Sequence, residues 1–137
     1  MQYVTFCAAP SEGTAEWKTW EILPGQKQFE LFRQSVLRFD KQASFFILTD
    51  FDTQFDDVAS DTRVFRHVAN HREIMLERTR RQLAFLQQAD SSSPIVFADT
   101  DMLILAPLQQ VFNNSFDVAV TIRKHEKMPI NGGIFCT

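Results

Sequence analysis

The sequence predicts an α/β fold: a Rossmann-like, mostly parallel sheet with helices on both faces. Three observations predict it. Short β-prone apolar runs alternate with longer segments of helical period from the start of the chain. The runs Phe45–Leu48 and Ile95–Ala98 are apolar throughout, as in strands covered on both faces. A strand, a helix and a strand in that order imply a right-handed parallel crossover.

Tyr3 to Ala8 is the first expected strand, and it ends before Pro10. Ser11 to Gly25, with Trp17 and Trp20, reads as a loop whose tryptophans cover a core edge or stack on a ligand. From Gln26 to Phe39 the apolar residues Phe29, Phe32, Val36 and Leu37 recur on one helix face, leaving Arg33, Gln34 and Arg38 to water. Phe45 to Thr49 is a second buried strand that ends at Asp50. The acidic segment Asp50 to Asp61 lacks the glycine and terminal glutamate of an EF-hand and reads as a solvated loop. Asp50 stands apart, because it caps a strand at the edge where parallel sheets bind ligands.

Val64-Phe65-Arg66 fits a short third strand. Asn70 to Gln88 fits a second long helix, with Ile74, Met75, Leu83 and Leu86 on its apolar side. Its arginines, Arg72, Arg78, Arg80 and Arg81, make it the most basic stretch; they form an exposed charged face or supply a fork for an anionic ligand. Pro94 opens a strand at Ile95–Ala98, and Pro107 suits the first turn of a short helix at Leu108–Asn113. Asp117 to Ile122 is a further strand, and Arg123 to Met128 a charged loop with His125. Pro129 to Gly133 reads as a glycine turn before a last strand from Ile134.

The 137 residues suffice for one domain. A hydrophobic fraction of 45% and a charged fraction of 23% are ordinary globular values, and a net charge of −3 argues against nucleic acid as a partner. Most of the fourteen phenylalanines should be core. Cys7 and Cys136 read as free thiols, pairing only if their strands are neighbours. No apolar run approaches the roughly 20 residues of a membrane span, and the N-terminus lacks a signal-peptide pattern, so the default expectation is the cytoplasm.

The chemistry concentrates at Asp99-Thr100-Asp101, where an apolar strand delivers two carboxylates one residue apart and Met102 to Leu105 follows. Such a pair repels itself unless a cation intervenes, and hard divalent ions such as Mg²⁺ or Mn²⁺ take oxygen ligands of this type together with substrate phosphates. Alone, Asp-x-Asp is equally a capped turn.

In context, Val96 to Leu108 with Val111-Phe112 resembles the Asp-x-Asp segment of GT-A-type glycosyltransferases, most of all the family-eight-like nucleotide-diphospho-sugar transferases. Ile130-Asn131-Gly132-Gly133-Ile134-Phe135 resembles the later Asn-Gly turn of that family, and Tyr3 to Ala8 its base-binding first strand. The resemblance implies that Asp99 and Asp101 hold Mn²⁺ or Mg²⁺ and the donor diphosphate. It implies that Asn131 and Gly132 line the sugar, that Ala8 and Asp50 lie near the base, and that Arg78 or Arg81, with Arg81 favoured by spacing, contacts the donor. The partners implied are a nucleotide-diphospho-sugar donor and a sugar, lipid or protein acceptor.

Relative to the family pattern, residues 1–137 are expected to form a single donor-binding α/β domain, incomplete at its C-terminus, where an exposed edge would favour self-association. The alternatives are a non-catalytic nucleotide- or partner-binding module and, with less support from the motif's position, an aspartate-dependent phosphatase.

Overall fold

Residues 1–8, 25–90, 92–122, 124, 126 and 130–137 are described by a computed structural model of the chain. Trp17, Trp20 and His125 lie outside the described residues. Apolar runs become strands β1 (Gln2–Phe6), β2 (Ser44–Asp50) and β4 (Ile95–Ala98), and β3 (Thr62–His67) is a more polar edge strand. The helices are α1 (Gly25–Leu37) and α2 (Ile74–Gln88), and β5 (Ala119–Ile122) and β6 (Ile130–Cys136) complete the sheet. The strand order is β3-β2-β1-β4-β6-β5. The first three pairings in that order are parallel, and the last two are antiparallel.

Side chains alternate across each strand, so every strand feeds two cores. On one face Tyr3, Phe45, Ile47 and Val96 meet Phe29, Phe32 and Val36 of α1. On the other, Val4, Leu48, Ile95 and Phe97 meet Phe85, Leu86 and Ala89 of α2, with Phe135 of β6. Helices therefore cover both faces, as expected. Phe97 is the hinge of the second layer: it stacks on Phe135 at 4.5 Å and meets the edge of Phe85 at 6.1 Å. Of the phenylalanines, Phe39, Phe51 and Phe65 are exposed.

Several local expectations are corrected. Arg33 does not face water. It forks onto Asp61, with Nε donating to Oδ1 at 2.9 Å and Nη2 to Oδ2 at 2.6 Å, and its guanidinium lies 5.7 Å from the Phe45 ring. A carboxylate brought close by tertiary folding outweighs hydration of a half-buried arginine. The second helix starts later than Asn70. That residue's side chain accepts from Arg72 N–H and caps a 3-10 turn, His71–Glu73, before α2 begins.

Met75 and Leu83 are exposed, and the inward stripe of α2 instead runs Ile74, Glu77, Arg78, Arg81 and Phe85. Only the second half of α2, through Phe85 and Leu86, meets the apolar layer; Glu77 and Arg78 bring charge to the inward side of its first half. The segment Ile130 to Gly133 is strand, not turn: β6 runs unbroken from Ile130 to Cys136. The glycines fall at an irregularity, where Val120 pairs with Phe135 but Thr121 pairs with Asn131. Glycine in a strand commonly marks such a bulge. Leu108–Asn113 forms 3-10 turns rather than α-helix.

Candidate functional site

The connections set the position of the site. From β1 the chain crosses over one face through α1 to β2; from β3 it crosses the other face through α2 to β4. Two neighbouring parallel strands, β1 and β4, thus have their helices on opposite faces, and a crevice opens beyond their carboxyl ends. A cleft of about 350 Å³ lies there. Phe6, Cys7 and Ala8 from the end of β1, Asp99, Thr100 and Asp101 from the end of β4, Gln28 of α1 and Ile74, Met75 and Arg78 of α2 line it.

Asp99 directly follows β4, with its N–H donating to the Gly133 carbonyl at 2.8 Å. That bond fastens the Asp-Thr-Asp turn to the Asn131-Gly132-Gly133 stretch of β6, so the two motif segments are adjacent in space. A second tie comes from α1: the Ser35 hydroxyl donates to the Phe32 carbonyl at 2.7 Å and accepts from Ile104 N–H at 2.9 Å. Ile104 is buried, whereas Leu103 and Leu105 are exposed. The Thr100 hydroxyl points to Gln28 Oε1 at 3.5 Å.

Arg78 Nη1 donates to Asp99 Oδ1 at 2.9 Å. Burial still pushes the Asp99 carboxyl above its usual range, Arg78 pulls it down and the neighbouring Asp101 pushes it up. One guanidinium does not neutralise two carboxylates, and Asp101 is exposed to the cleft. The donor set is all oxygen, with room on the solvent side, so these residues fit a hard divalent cation. Cys7 is a protonated wall: burial, with the Asp50 charge, raises its thiol pKa to about 11. Among the described residues Cys7 and Cys136 are free, and their strands are not neighbours.

Of the residues singled out by sequence, Ala8, Arg78, Asp99 and Asp101 line one cleft, and Asn131 and Gly132 sit in the strand paired with β4. Asp50 and Arg81 are placed elsewhere. Arg81 Nη2 donates to the Val68 carbonyl at 3.1 Å and approaches Glu77 Oε2 at 3.4 Å. It lines a larger groove of about 650 Å³ beside β2 and β3. That groove is bigger but is lined by none of the residues at the carboxyl ends of β1 and β4.

Asp50 is buried at the end of β2. Its Oδ1 accepts from Thr53 N–H at 2.6 Å, and its Oδ2 lies 3.3 Å from His71 Nε2. Asp50, Asp52 and His71 bring one ligand atom each within 4.8 Å of one another, a group capable of holding a metal ion. The sequence conceals this group because His71 joins it only through the β3–α2 corner. Gln28 and Cys7 are likewise cleft residues that no local pattern singles out. Among the described residues no helix is long and apolar enough to cross a membrane.

The fold is that of GT-A glycosyltransferases. The galactosyltransferase LgtC, solved with donor and acceptor sugar analogs, matches with a TM-score of 0.62 at 12% identity, over 99% of this chain and 57% of LgtC. An active-site mutant of LgtC matches with a TM-score of 0.64 at 11% identity, over 99% and 56%. The apo form of the glycosyltransferase GlyE of Streptococcus pneumoniae TIGR4 matches with a TM-score of 0.57 at 10% identity, over 98% and 32%. The chain therefore spans a little over half the length of LgtC and about a third of GlyE. No family model matches the sequence. No curated protein matches it either.

Proposed function

We propose that the cleft between β1 and β4 binds a nucleotide-diphospho-sugar through a divalent cation, Mn²⁺ or Mg²⁺, held by Asp99 and Asp101, and that the whole protein transfers the sugar to an acceptor. The observation that carries this reading is the convergence of Ala8, Arg78 and the Asp99-Thr100-Asp101 turn on one crevice at the reversal of the sheet. Solved glycosyltransferases of the same fold lend support, one of them holding donor and acceptor sugar analogs.

The roles follow from position and chemistry. Asp99 and Asp101 hold the cation, which when bound supplies charge neutralisation for a departing diphosphate. Arg78, already at the rim and paired to Asp99, offers its remaining N–H groups to phosphate oxygens. Ala8 leaves room for a flat ring beyond β1. Asn131 and Gly132, tied through Gly133 to Asp99, are assigned to the sugar. Gln28 beside Thr100 is a further polar group for the ribose or sugar.

The test is ligand-observed magnetic resonance with a panel of nucleotide-diphospho-sugars in the presence of Mg²⁺. Saturation transfer to the ribose and sugar protons is expected for at least one base, and its loss with Asp101→Asn. Transfer that persists in that variant, or none across the panel, contradicts the reading.

A further inference from the structure

The Asp50 carboxylate is 1% exposed, yet its Oδ2 has no hydrogen-bond partner. A buried carboxylate oxygen left without a hydrogen or a cation is costly, and such atoms are rare in folded proteins. The atom is not facing an apolar wall. It faces His71 Nε2 at 3.3 Å, an ion pair when the imidazole carries its second proton but not a hydrogen bond, and Asp52 completes a group whose ligand atoms lie within 4.8 Å of one another. A neighbouring guanidinium, Arg66, is committed elsewhere: its Nη1 donates to the backbone carbonyls of Asp50 at 3.1 Å and Thr53 at 2.7 Å.

We infer that Asp50, Asp52 and His71 form a second metal site, separate from the Asp99–Asp101 pair and on the opposite side of β1. One imidazole nitrogen and two carboxylate oxygens suit a first-row divalent ion such as Zn²⁺, Co²⁺ or Mn²⁺, rather than Mg²⁺ or Ca²⁺. Metal–ligand bonds of roughly 2 Å bring ligand atoms to within about 4 Å of each other, so the group closes on an ion by a small side-chain movement. Asp50 is fixed by β2, and its Oδ1 is fixed by Thr53 N–H. His71 and Asp52 are the adjustable arms, half-buried and exposed respectively, and they leave the outer positions to water.

An ion here joins the end of β2 to the turn that launches α2. It would thereby fix the approach of the helix that carries Arg78. The inference does not rest on the donor reading, because it needs neither nucleotide nor sugar.

The test is titration of the chain with Co²⁺ alone, followed by calorimetry and by the magnetic resonance of the histidine rings. The expected result is binding that shifts the His71 ring signals. Asp52→Asn and His71→Gln should each weaken it by at least roughly tenfold, the low end of what loss of even an outer partner costs a metal site. A double variant, Asp99→Asn with Asp101→Asn, should retain it. Both single variants alter side chains that are not fully buried, so the fold is kept. Titrations that coincide with wild type in Asp52→Asn and His71→Gln, unshifted His71 signals, or Co²⁺ bound only through Asp99 and Asp101 would each overturn the inference. Failure of the donor reading would instead appear as absent nucleotide binding with this site intact.

Discussion

Arg78 of α2 and Asp99 after β4 are joined at 2.9 Å across the mouth of the cleft, with Arg78 Nη1 donating to Asp99 Oδ1. The arginine occupies the flank of the carboxylate pair where positive charge is needed. It is therefore both a competitor of a cation and, once a cation is present, a free donor for an anion. Arg78→Ala should leave binding of Mn²⁺ alone undiminished while weakening nucleoside-diphosphate binding in its presence by roughly ten- to a hundredfold, the loss of one charge-assisted hydrogen bond. Equal weakening of both would show that Arg78 only supports the fold. Calorimetric titrations of the ion alone and of the ion with nucleotide separate the two outcomes.

The fork between Arg33 and Asp61 fastens α1 to the start of β3. Hydrogen bonding from Arg33 holds the Asp61 carboxyl below its usual value of 3.8. A lowered carboxylate stabilises the fold above its unfolded value and loses that contribution as pH falls through the folded value. Asp61→Asn should therefore cost about 1 kcal/mol at neutral pH, and the difference from wild type should shrink steadily below about pH 4. Urea melts across this range check it; a difference independent of pH would contradict the assignment.

Gly25 opens α1 against the cleft wall, and a Cβ built on it falls 2.7 Å from Cys7 Sγ. Gly25→Ala should cost about 1–3 kcal/mol as an overpacked contact. Cys7→Ala in the same chain should recover most of that loss. Additive effects in the double-mutant cycle would mean that the two residues do not touch.

Phe97 carries the α2-side layer, buried at 1% exposure between Phe85 and Phe135. Phe97→Ala should destabilise by roughly 3–5 kcal/mol. Because Asp99 lies just beyond, the same variant should also loosen the cleft. A thermal melt close to wild type would contradict the packing described.

The parts legible in sequence are those decided locally. Ile95–Ala98 reads as a strand because a short, β-prone apolar run behind Pro94 suits a sheet buried on both faces, and the two carboxylates behind it announce a charged turn at a strand end. The parts that were hidden depend on distant partners. Arg33 turns inward because of Asp61, which lies 28 residues further along the chain. Met75 and Leu83 satisfy a helical period, but α2 lies with Ile74 and Arg78 turned toward the strand ends and Met75 and Leu83 exposed, an orientation that its partners set and its own period does not. The glycines at positions 132 and 133 suggest a turn locally, yet β6 runs through them, held by pairing with β4 at Ile134–Cys136 and with β5 on either side of the irregularity. Arg78 and Arg81 share a helix side, and only the tertiary fold separates the arginine at the cleft from the one bound to Val68 and Glu77.

The central claim is that Asp99 and Asp101 bind a nucleoside diphosphate through a shared divalent ion. It is tested most directly by calorimetric titration of uridine and guanosine diphosphates into the chain, with and without Mn²⁺, for wild type, Asp99→Asn and Asp101→Asn. The account predicts binding strengthened by Mn²⁺ at least roughly tenfold, about 1.4 kcal/mol, in wild type and no Mn²⁺ dependence in either variant. Nucleotide binding that ignores Mn²⁺ in wild type, or a Mn²⁺ effect that survives both substitutions, would contradict it.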